Sequence, residues 1–280
     1  MNLKLKTFSY AQLNTFLHRL SGVTKLICFL LLTSAVMFTY DIRVILSIMV
    51  MSLILMKIAK IRFSQVRIMY IYVFIFLIAN FFLTFLFDPQ YGVRIYGTKH
   101  VLFTIAGSYI VTQEQLFYEI SKFCKYLSVI PLGIIFVLTT NPSEFASSLN
   151  GIGISYKVGT ALSLTLRYFP DVAGDYETIK MAQEARGLDM SRKASMGSRL
   201  KNASAILSPL IMTTMDRIDL ISNAMDLRGF GKHKKRTWYV RKPLTKEDYL
   251  SIVISALVLF GALYVRFFIN HSYFYNPFIK

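Results

Sequence analysis

From Ile68 to Phe87, twenty consecutive residues carry no charged side chain, and most of them are Phe, Ile, Leu, Tyr or Val. A helix of about 20 apolar residues crosses the hydrocarbon of a bilayer. There the backbone must satisfy its polar groups internally, so an open chain can cross only as a helix. Further largely apolar runs, some shorter and some carrying a few charges, span residues 26–40 (extendable through Val23 and Thr24), 42–59, 116–140 and 250–269, and Asp41 with Arg43 marks a tight turn between the first two. Within 116–140 the fully apolar part begins at Leu127, and Pro131 and Gly133 are tolerable in a transmembrane bundle. The expected fold is an all-α polytopic membrane protein with about five transmembrane helices. Its expected regions are a membrane part (1–140), a polar region carrying long helices (141–249), and a last span with a short aromatic tail (250–280). Composition agrees, with 54% hydrophobic residues, 17% charged residues and a mean hydropathy of +0.48 over 280 residues.

A formal charge of +17 suits nucleic acid, but in a polytopic membrane protein Lys and Arg gather in cytoplasmic loops. Lys4, Lys6, Arg19 and Lys25 precede the first span without an acid, and Lys57, Lys60, Arg62 and Arg67 form a second acid-free cluster. The polar region holds 17 Lys and Arg against 11 Asp and Glu. Placing these three segments inside puts the N-terminus in the cytoplasm and the C-terminus outside, leaves no nucleic-acid partner, and makes the lipid bilayer the first partner. The same topology sets Lys122 and Lys125 at the outer face, on an amphipathic lead-in, and lets Arg266 snorkel at the outer end of the last span. Residues 1–25 lack the brief basic start and immediate apolar core of a cleaved signal peptide. The basic run Lys232-His233-Lys234-Lys235-Arg236 suits anionic head groups ahead of the last span.

Asp88-Pro89 ends the third span, and the stretch 90–115, with Gly92, Gly97, Gly107 and a β-like run 101–111, reads as a loop, hairpin or interfacial segment outside the membrane. Signs of chemistry are sparse. His18, His100, His233 and His271 are scattered, and Cys28 and Cys124 are isolated, so no metal, cofactor or disulfide is expected. Gly92 to Lys99 inverts the Lys-Ser/Thr order of a phosphate loop, and there is no nucleophile elbow. Asn80 and Ser34 suit helix-helix contacts, and the spans show no dense charge relay of the kind a proton-coupled carrier uses.

The polar region is punctuated as helices. Asn141 can cap a helix starting at Pro142 with Glu144 in its first turn, and Asn150-Gly151 stops it. A run from Ser155 to Phe169 is expected to break at Pro170, followed by an amphipathic helix over 171–186. Another helix is expected to begin at Ser208-Pro209 and end at Arg228-Gly229. Within these helices one hexad occurs twice, Ala182-Gln183-Glu184-Ala185-Arg186-Gly187 and Ala224-Met225-Asp226-Leu227-Arg228-Gly229, the copies beginning 42 residues apart. A glycine just past the last helical residue permits a left-handed C-terminal cap, and taken singly each hexad is an ordinary helix end. As a pair they hold two guanidinium groups at rigid ends, suited to an acidic groove on another protein.

These ends, with Thr139-Thr140-Asn141-Pro142-Ser143-Glu144-Phe145, Leu166-Arg167-Tyr168-Phe169-Pro170, Ser208-Pro209-Leu210 and His18-Arg19-Leu20 followed by Lys25, resemble the transmembrane T component of energy-coupling factor transporters, the CbiQ-type family. The likeness runs from about residue 17 to 236. The family's Ala-Arg-Gly is intact at Ala185-Arg186-Gly187 and altered at Leu227-Arg228-Gly229, and its Asp-Pro after His-Arg-Leu is here Ser21-Gly22. The resemblance implies a non-catalytic coupling subunit of an ABC-type importer in a prokaryotic plasma membrane. Two crossing cytoplasmic helices would dock on two ATPase subunits, and the membrane part would hold a small S component that binds a vitamin or a transition-metal ion. Ala185, Arg186, Gly187, Leu227, Arg228 and Gly229 would make the docking ends, supported by Ala182, Glu184, Ala224 and Asp226. The alternatives are a stand-alone carrier or channel with its own substrate site, an intramembrane enzyme, and a one-piece ABC permease.

Overall fold

The computed structural model describes residues 15–106, 109–188, 196–233, 237–238 and 242–278. The chain separates into two compact units, one of residues 1–141 with 242–280 and one of residues 142–241.

The first unit is built from α1 (Phe16–Arg19), α2 (Gly22–Met37), α3 (Ile42–Ile58), α4 (Phe63–Phe87), α5 (Tyr91–Tyr96), α6 (Gln113–Thr139) and α10 (Lys246–Tyr264), which continues as a π-helical turn over Val265–Ile269. Val66–Phe87, Gln113–Thr139 and Lys246–Ile269 are long and apolar enough to cross a membrane, and Gly22–Met37 is a shorter apolar helix. With α3, these elements make the protein an all-α polytopic membrane protein. α2 and α3, of 16 and 17 residues, are joined at Asp41, whose carboxylate caps α3 by accepting from the Arg43 backbone N–H (2.9 Å) while also pairing with the Arg43 guanidinium (2.7 Å). The core is small, with Leu32, Ala35, Val36, Ile48, Leu132 and Ala262 at its centre. α6 lies against α2, α3, α4 and α5. α4 turns Tyr72, Phe76, Phe82 and Phe87 outward, as a lipid-facing helix must. Between α5 and α6, β1 (Val101–Ala106) and β2 (Tyr109–Thr112) form an antiparallel hairpin, one of the forms that the β-like pattern allowed.

The two ends of this unit are closed by polar contacts. At one end, Asp248 closes a capping box with Thr245 and accepts the Ser21 backbone N–H (2.8 Å), while Lys25 Nζ donates to Thr139 O (2.9 Å) at the last turn of α6. The Ser21-Gly22 departure from the family pattern therefore keeps a backbone tie between the start of α2 and α10. At the other end, Lys125 Nζ donates to Met37 O (3.2 Å), Thr39 O (3.3 Å) and the Tyr273 hydroxyl (3.1 Å), and it sits 3.8 Å from the centre of the Tyr40 ring. Lys122 pairs with Glu119 (2.8 Å) and donates to Thr84 of α4 (2.9 Å). Both lysines are buried, not displayed on an amphipathic lead-in, because carbonyls at the end of α2, a carboxylate and aromatic faces meet their charges. Arg266 donates to Phe38 O (2.8 Å), and the aromatic tail folds back, with Phe274 against Tyr40 and Phe278 against Tyr96.

The second unit contains α7 (Pro142–Gly151), α8 (Tyr156–Ala185) and α9 (Met196–Leu227). The breaks expected at Pro170 and Pro209 are absent, since each proline lies inside a continuous helix. A proline removes the N–H that would bond the carbonyl four residues earlier. For Pro209 that carbonyl is Ala205 O, and the Gln183 side chain of α8 donates to it instead (3.4 Å). For Pro170 it is the carbonyl of Leu166, a residue with an exposed side chain on a face that solvent can reach.

Candidate functional site

Both hexads end their helices in the same hydrogen-bonded motif. In α8 the Arg186 N–H bonds Ala182 O (3.3 Å), the Gly187 N–H bonds Glu184 O (3.0 Å) and the Leu188 N–H bonds Gln183 O (3.1 Å), with Gly187 at φ +88°. In α9 the Arg228 N–H bonds Ala224 O (3.2 Å), the Gly229 N–H bonds Asp226 O (2.9 Å) and the Phe230 N–H bonds Met225 O (3.0 Å), with Gly229 at φ +70°. This is the Schellman arrangement in full, and it explains why the glycine sits where it does in each copy. Alanine at Gly187 would meet no atom within 4 Å, so its cost would be the backbone conformation alone, about 1–2 kcal/mol for a left-handed non-glycine residue. Gly187→Ala is accordingly expected to speed hydrogen exchange at the Leu188 amide about 5- to 30-fold. Gly187→Asn, which tolerates this conformation, should change it far less, and equal rates in the two variants would contradict the motif.

The side chains of Glu184, Ala185, Arg186, Leu227 and Arg228 are exposed, and no hydrogen bond or ion pair to either guanidinium is found among the described residues. Leu227, where the family pattern has alanine, is 90% exposed, so the larger side chain fits without displacing anything.

α8 and α9 run antiparallel. Gln183 reaches Ala205, Asp175 pairs with Arg217 (2.7 Å), and Leu164 lines a depression with Met225. Asp175 and Arg217 are 42 residues apart, the same offset as the hexads, so equivalent positions of the two helices meet each other. Contact between equivalents places an approximate two-fold axis there. Arg186 and Arg228 each lie 11 residues beyond this contact, about 17 Å of helix on opposite sides. The structure therefore does not bring the two arginines together; it holds them apart symmetrically. Asp175 and Arg217 carried no sequence signal beyond that shared spacing.

Sequence reading also missed what surrounds the second end. Phe230 packs edge-on against Tyr156 at the start of α8, with ring centres 5.6 Å apart, and Trp238 Nε1 donates to the Asn150 side-chain oxygen (3.2 Å) at the end of α7. Gly159 makes room for this, because a Cβ there would stand 2.7 Å from Ala146 O and 3.0 Å from the Trp238 ring. Among the described residues, no three or more His, Cys, Asp or Glu side chains gather as metal ligands.

Fold and site together define a polytopic helical membrane protein with a separate helical unit that presents two matched Arg-Gly helix ends. Residues 13–239 match the cobalt transport protein family, CbiQ, and the chain belongs to that family. It is 24% identical over 274 residues to the energy-coupling factor transporter transmembrane protein EcfT of Streptococcus equi, covering 91% of this chain and 94% of that one. It is 23% identical over 282 residues to EcfT of Staphylococcus aureus, covering 94% and 99%. A candidate ABC transporter ATP-binding protein of Bifidobacterium longum is 28% identical over 161 residues, which make up 55% of this chain and 20% of that protein.

Proposed function

We propose that this chain is the transmembrane coupling subunit, the T component, of an energy-coupling factor importer, and that it passes ATP-driven motion of two ABC-type ATPase subunits to a membrane-embedded S component. The observation that carries this reading is the symmetric pair of exposed helix ends. Two like subunits related by a two-fold axis need two like handles on opposite sides of that axis, and Arg186 and Arg228 stand so. Ala185, Gly187, Leu227 and Gly229 shape the ends, while Ala182, Glu184, Ala224 and Asp226 accept the backbone bonds that fix them. Likeness to a protein named for ATP binding supports an ATPase partner.

The subunit itself would carry out no catalysis, ATP being hydrolysed in its partners. Its cargo would be a vitamin or transition-metal ion chosen by the S component. It would lie in a prokaryotic plasma membrane with its N-terminus and the second unit in the cytoplasm and its C-terminus outside, the orientation that puts the basic loops inside. A carrier would need charges open to a path, whereas the Glu119–Lys122 pair is closed by Thr84. The test is purification of the full chain from its native cells in mild detergent, with mass spectrometry of the proteins that accompany it. Two ATPase chains and a small hydrophobic protein are expected, and recovery of the chain alone in several detergents would sink the reading.

A further inference from the structure

The two helix ends share a backbone motif but not a setting. Beside Arg228 lies a hollow of about 650 Å³, whose walls include Tyr156, Leu164, Met225, Phe230 and Trp238, with the arginine among its lining residues. It is built, not incidental. Gly159 is kept free of a side chain so that the indole can seat, and Asn150 fixes the indole nitrogen. At the Arg186 end, the positions that correspond to Tyr156 and Phe230 by the 42-residue offset are Ser198 and Leu188, so the rings have no counterpart there.

An aromatic-walled recess next to an unpaired guanidinium is matched by an apolar side chain standing beside a carboxylate. Each would be desolvated by the other's neighbours, as at the centres of tight interfaces. We infer that the ATPase held at the Arg228 end inserts an apolar side chain into this hollow while an adjacent acidic residue meets Arg228. Docking at this end is therefore reciprocal, and the two ends are not interchangeable. This rests on the docking proposed above.

Thr160 lines the hollow, so Thr160→Phe would put a ring into it and take up part of its space, whereas Val158 is exposed and is not among the lining residues. Capture of the native ATPases by the full-length chain is measured in an Arg186→Ala background, where only the Arg228 end can hold them. Thr160→Phe is expected to weaken capture at least tenfold there, Val158→Phe to leave it unchanged, and Thr160→Phe to add nothing in an Arg228→Ala background. Trp238 is the only tryptophan, so its emission in the purified chain reports whether the filled variant keeps the hollow folded. If that emission moves, Thr237→Phe, which puts a ring into the hollow from another lining position, decides in its place. Unchanged capture by a folded hollow-filled variant overturns the inference, as does a loss of bound lipid without any loss of ATPase. Failure of the docking reading itself looks different, because Arg186→Ala and Arg228→Ala would then both capture ATPase like the unaltered chain.

Discussion

Alanine at both Arg186 and Arg228 is expected to abolish ATPase capture and substrate uptake while leaving the membrane unit as stable as before. Each guanidinium stands exposed at a rigid helix end with no ion-pair partner among the described residues, so under the proposed docking its charge would gain a partner only in the assembly. Truncating one side of a buried, hydrogen-bonded charge pair costs about 2–5 kcal/mol, much of it from the acid left stranded. At about 1.4 kcal/mol per decade, that is about 30- to 4,000-fold in affinity for each end. The two ends lie on opposite sides of the Asp175–Arg217 contact and share no described partner, so their losses should add. Within the isolated chain the same substitutions remove no described hydrogen bond or ion pair, and exposed positions of that kind usually move stability by less than about 0.5 kcal/mol. Copurification and uptake measured beside thermal unfolding of the purified variant separate the two effects. Normal capture and uptake in the double variant would remove the arginines from the coupling path.

The hexads were legible because a Schellman cap is written in local sequence. Gly187 and Gly229 announce the left-handed residue, and Ala182 and Ala224 stand where the backbone bonds of the last turn require a carbonyl. The apolar runs announce a membrane protein for a similar reason, since a bilayer sorts residues by transfer energy one segment at a time. The parts that stayed hidden depend on groups brought in from elsewhere. Pro209 reads as a helix start, but the helix passes through it, and the Gln183 side chain of α8 donates to the carbonyl of Ala205, 22 residues further on, which the proline leaves without its backbone donor. Lys122 and Lys125 read as lead-in charges, because nothing local shows that Thr84, Met37, Thr39 and Tyr273 will surround them. The tail after α10 reads as a short aromatic end, although it supplies ring contacts to Tyr40 and Tyr96. Trp238 gave no signal at all, yet the glycine that admits it, Gly159, lies 79 residues before it in the chain.

Lys122→Met is expected to be the most damaging single change in the membrane unit. Lys122 and Glu119 lie one turn apart on α6 with side chains 9% and 4% exposed, and the lysine also donates to Thr84 of α4. α4 leans little on the rest of the protein, with only 6% of its apolar window buried, so this bond is a notable part of what holds it against α6. Other described ties include edge contacts of Phe74 with Phe123 and of Phe76 with Tyr126, the Tyr70 hydroxyl donating to Met56 Sδ (3.9 Å), and the buried side chains of Val66 and Leu77. Removing one partner of a buried ion pair strands the other and typically costs about 3–5 kcal/mol, far more than the pair itself contributes when both partners are replaced. Unfolding of the purified variants in lipid nanodiscs should therefore rank Lys122→Met well below the unaltered chain, with the double variant Glu119→Leu, Lys122→Met recovering most of the loss. The recovery is the informative arm. A double variant as unstable as Lys122→Met alone would mean that the lysine acts through α4 and Thr84, with the carboxylate a bystander. Full recovery would mean that the pair fixes no geometry that apolar packing cannot supply. Because these residues lie in the membrane unit and the proposed docking ends in the other, the copies of Lys122→Met that do fold should still capture ATPase, and their uptake should fall only in proportion to the folded fraction.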